Sequence, residues 1–440
     1  MEINVYNFHI YDDNDDSASW SSEQPMQLQT PSTGDSVSLS AMRYVKKAMG
    51  TEMVLIADDL TGACDGGAAF LACAAPVRVW LNWAVADICP SQMSVFSTES
   101  RNGTSQQARS ILHGVAEVLN TVSTEALIYK KIDSAGRGHP GVEILAALEG
   151  FCCAWAICTP ALPEAGRSVH QGVLHIQDMA GQDARMALME AFAADFRNLV
   201  SVLSVHQSEE RLQTAMKAAL ASGSRVLLCD AASAEDLDRI VRAAGRVNTD
   251  RGDRMLWAGS AGLAQALARD LQPTAGGPSG SEICGEENLD GVSLMFIGSP
   301  HAVTSFQLQK LETTLPTQIL SLEEATRTPL RSDGCVVVRV SCGVDPEEHI
   351  RQAWEACSRL KIRSVLLTGG DTASLVLRAL HTQSILLRGR VLPTVPWGVL
   401  EGGLADGHRV VTKSGGFGTE MALANAANFS GWKNFSGAGQ

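Results

Sequence analysis

The sequence predicts an α/β protein of two domains, each built on a mostly parallel sheet flanked by helices, with the active site in the cleft between them. The first observation is a repeated alternation, from residue 53 onward, of short aliphatic runs, Gly- or Asp-bearing turns and Ala/Leu-rich helical patterns. The second is a break over 272–290, where Pro, Gly, Ser and acidic residues indicate a linker. The third is size, because 440 residues at 45% hydrophobic composition suffice for two buried cores.

The first domain is predicted over 51–271, where each aliphatic run is followed by a turn and then by a helical pattern. Its strands are predicted at 53–57, 93–97, 127–132, 154–159, 226–230 and 255–258. Its helices are predicted at 66–74, 106–119, 142–148, 209–221, 234–243 and 261–271. Residues 1–50 are rich in Ser, Asp, Gln and Thr and lack an apolar period, so they are predicted to be a disordered extension.

The alternation restarts after the linker, and a second domain is predicted over 291–440. Its strands are predicted at 292–297, 336–340 and 364–367, and its helices at 305–313, 347–360 and 372–380. A Gly-rich turn at 413–418 precedes a last helix. Because open α/β sheets bind ligands at the carboxyl ends of their strands, we expect the chemistry in the turns that follow them.

The composition excludes several classes of protein. A net charge of −13 argues against general binding to nucleic acid or to anionic membranes, since both favour an excess of Lys and Arg. No apolar run reaches the ~18–20 residues of a membrane span, and the acidic N-terminus lacks the pattern of a secretory signal. The 11 Cys residues form no C-x-x-C pair, which is typical of reduced thiols. We therefore expect a cytoplasmic protein with small-molecule partners, and whether it forms a homo-oligomer stays open.

Charged residues follow three strands of the first domain. Asp58 and Asp59 follow the first strand directly, and Asp65 comes in the next helix. One of these Asp residues could cap that helix. A carboxylate at this position could also orient or deprotonate a hydroxyl group, or hold Mg²⁺. Arg101 ends the second strand, where it could clamp a carboxylate. The third strand continues into the segment Lys130–Gly138, and strand alternation puts Lys131 and Asp133 on one face.

The third turn also contains the pattern Gly136-x-Gly138-x-x-Gly141, which is the spacing of a dinucleotide-binding turn. An NAD-linked hydroxy-acid dehydrogenase is therefore an alternative function. Two features count against it: Arg137 and its charged neighbours crowd the turn, and the next strand ends in Thr159-Pro160 instead of an acidic residue that would bind a ribose.

Three turns of the second domain favour a phosphate group. Thr368–Thr372 joins a strand to a helix, 413–418 combines glycines with a Lys, and Gly298-Ser299 ends the domain's first strand. Together they predict a nucleotide site, although no G-x-x-x-x-G-K-[ST] occurs. The histidines at 139, 170, 175 and 301 are scattered along the chain, and we interpret them as structural.

From about residue 53 to 425 the chain resembles the four-carbon acid sugar kinases, which phosphorylate threonate, erythronate or 3-oxo-tetronate with ATP. The resemblance is carried, in the family's order, by the segments 56–63, 98–101, 131–134, 160–167, 259–263, 368–370 and 413–418. Three positions depart from the family's pattern. Ala135-Gly136 replaces a usual Thr-Leu, Asp371 stands where Glu is common, and Cys64 stands where Asn or Ser is usual.

The resemblance implies an ATP-dependent kinase whose first domain binds the sugar acid and whose second binds ATP with Mg²⁺. The catalytic residues would be Asp58, Asp59, Lys131 and Arg137. The substrate would also contact Asp65, Ser100, Arg101, Asp133, Ser134 and Arg167. ATP would contact Ser299, Gly369, Gly370, Asp371, Thr372, Lys413, Gly415 and Gly416. A catalytically inactive sugar-acid-binding module is a further alternative, and the acid, the hydroxyl, the choice of Asp base and any protein ligand of Mg²⁺ stay open.

Overall fold

A computed structural model describes residues 52–74, 76–82, 86, 92–119, 125–177, 183–204, 208–271, 290–341 and 345–429. The predicted extension 1–50 and all of the predicted linker except residue 290 lie outside the described residues. We call residues 52–271 the N-terminal lobe and residues 290–429 the C-terminal lobe.

The N-terminal lobe contains eight parallel strands in the order β2-β3-β1-β4-β11-β5-β10-β9. These are β1 Met53–Ala57, β2 Val77–Trp80, β3 Met93–Ser97, β4 Leu127–Lys131, β5 Trp155–Thr159, β9 Val200–Leu203, β10 Val226–Cys229 and β11 Met255–Gly259. Its helices are α1 Leu60–Ala68, α2 Ser105–Val118, α3 Pro140–Gly150, α4 Glu209–Ala221, α5 Ala234–Arg251 and α6 Ala261–Leu271. Because β1, β3 and β5 are buried on both faces, their sequences are mostly apolar rather than alternating, with Ser94, Ser97 and Thr159 as the polar exceptions.

Polar residues set the helix starts at the edge of the sheet. Asp59 caps α1 by accepting a hydrogen bond from the backbone N–H of Gly62, so this helix begins directly after β1. The helix predicted at 66–74 starts about two turns too late, because the polar residues between 58 and 65 suggested a longer loop; residues 66–72 are helical, first as α1 and then as the 3-10 helix Ala69–Ala72. Thr104 starts α2 and Ser233 starts α5, each through a reciprocal capping box.

The C-terminal lobe has five parallel strands in the order β13-β14-β12-β15-β18, followed by antiparallel β17 and β16. The strands are β12 Val292–Ile297, β13 Thr317–Ser321, β14 Cys335–Arg339, β15 Ile362–Thr368, β16 Ser384–Leu392, β17 Val395–Glu401 and β18 Arg409–Lys413. The helices are α7 Ala302–Thr314, α8 Leu322–Arg327, α9 Pro346–Cys357, α10 Gly370–Ala379 and α11 Ala422–Ala427.

The predicted α/β class with mostly parallel sheets is confirmed, with one addition. β16 pairs antiparallel with β2, so the strands of both lobes form one continuous 15-stranded sheet. One cluster of buried apolar side chains extends through both lobes, and a smaller one lies under α7 and α11 of the C-terminal lobe.

A separate three-stranded antiparallel sheet follows β5 and was not predicted. It consists of β6 Arg167–His170, β7 Val173–Gln177 and β8 Asp183–Ala187. On it the rings of His170 and His175, two of the histidines interpreted as structural, lie 5.5 Å apart. Across the described residues, no helix has both the length and the apolar character needed to cross a membrane.

Candidate active site

Arg101 is the centre of a buried charge cluster at the carboxyl ends of β1 and β3. Its guanidinium donates to both carboxylate oxygens of Asp58, at 2.8 and 2.9 Å, and to Oδ1 of Asp59, at 2.7 Å. It also lies 3.4 Å from Oδ1 of Asp133, beyond β4. The sequence predicted these residues as separate strand ends, and the order β3-β1-β4 brings them together.

The environment of Asp59 favours its protonated form. Burial raises the pKa of Asp59, and it outweighs the attraction of Arg101, while the neighbouring Asp58 charge adds to the rise. Oδ2 of Asp59 accepts a hydrogen bond from the hydroxyl of Thr61 at 2.7 Å. Asp59 therefore both caps α1 and carries the kind of raised pKa that is common in proton-transfer groups.

Asp133 is held in the ionised form. Burial alone would raise the pKa of Asp133, but hydrogen bonds and charge from Arg137, together with Arg101, lower it well below its usual range. Arg137 donates through Nε at 3.0 Å and through a terminal nitrogen at 2.8 Å, and the backbone N–H groups of Ala135 and Arg137 also point at Oδ2. The first part of the dinucleotide-like turn at 136–141 thus binds a carboxylate of its own chain, so the Arg137 amide is not presented to a pyrophosphate.

The two lysines of β4 point to opposite sides, as the strand alternation predicted. Lys131 lines the cavity described below, and its Nζ donates to the carbonyl oxygen of Ile132 at 2.9 Å. Lys130 is fully buried on the other side, 3.2 Å from Glu143 of α3. Ser100, a predicted substrate contact, also donates to Glu143 and does not line the cavity. Sequence reasoning missed Glu143, because it stands alone in the otherwise apolar run 140–148 of that helix.

Three turns of the C-terminal lobe meet around Ser299. A Cβ atom added to Gly369 would lie 3.3 Å from Cβ of Ser299, and one added to Gly415 would lie 3.0 Å from the same atom and closer still to its hydroxyl. The hydroxyl of Thr372 would similarly collide with a Cβ at Gly298. These glycines therefore permit a close approach of backbone segments that side chains would prevent.

Lys413 lies beneath the glycine turn and is not exposed to the cleft. Its side chain is fully buried, and Nζ donates to the carbonyl oxygens of Ser414 at 2.7 Å and of Phe417 at 3.0 Å. Burial lowers the pKa of Lys413 to about 7. Lys413, predicted to contact ATP, therefore stabilises the turn 413–418 through hydrogen bonds to its carbonyl oxygens in this structure.

The two lobes meet at a narrow cavity. The N-terminal lobe lines it with Asp59, Thr61, Gly62, Asp65, Arg101, Lys131, Asp133, Ser134, Arg137, Leu162 and Ala261, and the C-terminal lobe with Thr394, Ser414 and Phe417. Gly370, at the start of α10, lies so close to Asp59 that an added Cβ would be 3.1 Å from the carboxyl carbon. Beside it, Asn102 donates to the carboxylate of Asp371 at 2.9 Å across the lobes.

Two predicted substrate residues occupy different positions around this cavity. Asp65 lines it; its Oδ1 is buried without a hydrogen-bond partner among the described residues, and burial raises its pKa. Arg167 is not among the lining residues, and its guanidinium lies 5.0 Å from the ring centre of Phe417. Of the two, Asp65 is the side chain placed to contact a ligand in the cavity.

Comparison with known proteins decides the family. Residues 53–267 match a family model described as a sugar-binding N-terminal domain, and residues 347–423 match one described as a nucleotide-binding C-terminal domain. A D-threonate kinase of Bordetella bronchiseptica is 30% identical over 410 residues, covering 85% of this chain and 96% of that protein. The chain belongs to the four-carbon acid sugar kinase family.

Other relatives in the four-carbon acid sugar kinase family carry two names. A D-threonate kinase of Salmonella typhimurium is 26% identical and covers 85% of this chain and 97% of its own. A 3-oxo-tetronate kinase of Brucella melitensis is 22% identical and covers 84% and 94%. A crystal structure of a Haemophilus influenzae protein, at 20% identity, has the same fold with a TM-score of 0.60 and covers 86% of this chain and 99% of that one.

Proposed function

We propose that this chain transfers the γ-phosphoryl group of ATP to a hydroxyl group of a four-carbon sugar acid. The observation that carries the proposal is the shared cavity, in which the cations and carboxylates of the N-terminal lobe face Ser414 and Phe417 of the glycine turn. Phosphoryl transfer depends on positioning and on charge neutralisation more than on a covalent nucleophile. A cavity with one anion-binding side in each lobe meets that requirement.

The N-terminal side of the cavity suits an organic acid. Lys131, Arg137 and Arg101 line it, and Ser134 adds a hydroxyl. Arginine and lysine side chains bind carboxylates through charge-assisted hydrogen bonds, which are the stronger kind. Asp65 adds a buried carboxylate oxygen without a partner among the described residues, which could accept a hydrogen bond from a substrate hydroxyl.

Asp59 is the better placed of the two adjacent carboxylates to take the proton from the reacting hydroxyl. Both oxygens of Asp58 are held by Arg101, and Asp58 does not line the cavity. Asp59 does line it, lies against Gly370 of the nucleotide-binding lobe, and has a raised pKa. A base whose pKa is nearer neutrality than that of an ordinary carboxylate is more effective in general-base catalysis.

On the C-terminal side, the glycine turns would hold the triphosphate of ATP through backbone N–H groups and the start of α10. The close packing around Gly415, Gly369 and Ser299 fits a cradle that side chains would fill. No group of three His, Cys, Asp or Glu side chains within the described ranges is arranged to hold a metal ion. Mg²⁺ bound with ATP would be held chiefly by the triphosphate oxygens, where it would neutralise their charge, and no catalytic step is derived from it.

Threonate is the first acid to test, because the three relatives named D-threonate kinase are 26–30% identical to this chain and those named 3-oxo-tetronate kinase 22–25%. The experiment is a screen for ADP release with the stereoisomers of threonate and erythronate. We expect one acid to give turnover that depends on both ATP and the acid. Thermal stabilisation by an acid without ADP release would instead support an inactive binding module, and acid-dependent reduction of NAD⁺ would support the dehydrogenase.

A further inference from the structure

A groove on the C-terminal lobe lies next to the glycine turn and outside the cavity already described. It is an open groove with room for about 520 Å³, lined by Val303, Phe306, Gln307, Gln309, Lys310, Thr313, Gly418 and Glu420. Phe306 is 58% exposed. Among the described residues it is the most exposed large apolar side chain, and no other large aromatic side chain there is exposed. Exposed aromatic rings that border a concave surface are typical of ligand-binding sites.

The groove and the glycine turn belong to one rigid unit. Gln307 is fully buried and donates through Nε2 to the carbonyl oxygens of Phe417, Gly418 and Thr419, at 2.9–3.0 Å. One helical turn earlier, the hydroxyl of Thr304 donates to the carbonyl oxygen of Gly415 at 2.9 Å. Helix α7 is thus fixed along the whole turn, and Gly418 is a wall of the groove as well as the end of that turn.

The direction of α7 determines how a ligand could extend from the turn into the groove. The helix starts at Ala302, where the capping residue His301 packs against Gly415 and Gly416. Phe306 follows four residues later, which places it about 6 Å further along the helix axis. A nucleotide with its phosphates on the glycine turn and its base extended along α7 would therefore reach Phe306.

The charges of the groove fit an uncharged ring better than a further phosphate. Its lining residues include one cation and one carboxylate, Lys310 and Glu420, and these pair with each other at 3.7 Å. Around them lie amide, hydroxyl and apolar groups, including the exposed side chain of Phe306. Nucleobases stack on such aromatic side chains through their π-faces.

We infer that this groove binds the purine base of the nucleotide, with Phe306 as its stacking platform. The inference rests on the proposed function, since it extends the same nucleotide site beyond the phosphates. It assigns a specific role to α7, which neither the sequence motifs nor the two family models include. It also separates two contributions to affinity, one from the phosphates at the glycine turn and one from the base at Phe306.

The test compares Phe306→Ala with wild type in calorimetric titrations of the full chain with magnesium ADP and with magnesium tripolyphosphate. We expect Phe306→Ala to weaken ADP binding about 10-fold or more, by loss of stacking, and to leave the affinity for tripolyphosphate unchanged. Phe306→Trp should restore ADP binding. Leu404→Ala is the matched control, because Leu404 is 53% exposed and does not line the groove.

Other results of these titrations would refute either the base site or the proposed function. Unchanged ADP affinity in Phe306→Ala would refute the groove as a base site while leaving the kinase proposal intact. An equal loss of ADP and tripolyphosphate affinity would also refute it, because the substitution would then act through the turn. Absence of ADP and ATP binding to wild type would refute the proposed function itself. A changed oligomeric state in gel filtration, with unchanged ADP affinity, would assign the groove to contact between copies of the chain instead.

Discussion

Gly370 gives the sharpest test of the contact between the lobes. It is the first residue of α10, and unlike Gly369 its backbone is not in the left-handed region, so alanine is acceptable to the local conformation. The added Cβ, however, would lie well inside 3.0 Å of Oδ2 of Asp59 and 3.1 Å from its carboxyl carbon. Either the Asp59 carboxylate or the whole start of α10 must move, by up to about 1 Å, and a displacement of that size in a reacting group can lower the rate about 100-fold.

We therefore expect Gly370→Ala to lower kcat/KM for the sugar acid about 100-fold, which corresponds to about 2.7 kcal/mol of transition-state stabilisation. The assay is steady-state ADP release, with circular dichroism to show that both lobes stay folded. Gly245→Ala is the matched control, because a Cβ at this glycine of α5 meets no atom within 4 Å. That variant should keep its activity and gain about 1 kcal/mol of stability from helix propensity. Wild-type activity in Gly370→Ala would show that the Asp59–Gly370 contact is not part of the working enzyme.

Four further predictions concern single side chains. Arg101→Met removes the cation that three buried carboxylates share, so we expect the free energy of unfolding to fall by about 3–5 kcal/mol in urea titrations; a loss below 1 kcal/mol would contradict this. Gly415→Ala would displace the Ser299 hydroxyl, so KM for ATP should rise at least about 10-fold with little change in KM for the acid. Asp65→Asn should raise KM for the acid and not for ATP, whereas equal changes in both would point to misfolding. Burial lowers the folded-state pKa of Lys413 to about 7, below its ordinary value of 10.5. Between these two pH values the unfolded chain therefore binds more protons than the folded one. The contribution of Lys413 to the free energy of unfolding consequently rises with pH from about 7 to 10.5. In Lys413→Met the slope of unfolding free energy against pH over that window should be smaller than in wild type, and an equal slope would refute the assignment.

Strands with continuous apolar sequences were predictable, and helix starts governed by capping were less so. The runs at 53–57 and 93–97 coincide with β1 and β3, because a strand buried on both faces is mostly apolar; β3 departs from this only at Ser94 and Ser97. β16 was missed because Arg388, Gly389 and Arg390 interrupt it, and its pairing shifts register on either side of them. The small sheet β6–β8 was missed for a related reason, since its strands mix His, Gln and Arg with apolar residues.

The turns of the site were predictable from residue type, but their partners were not. Asp58 and Arg101 stand 43 residues apart, and their ion pair follows from the placement of β3 beside β1, which strand sequences do not encode locally. Lys413 illustrates the opposite case. Its place beside glycines suggested contact with phosphate, whereas tertiary packing buries its ammonium group under the turn.

The ladder between β2 and β16 has a mechanical consequence for catalysis. Four residue pairs, from Ser384–Trp80 to Leu387–Val77, join the two lobes through main-chain hydrogen bonds. Separating the halves fully would break these hydrogen bonds, so we expect any opening of the cavity between the lobes to leave the β2–β16 ladder paired.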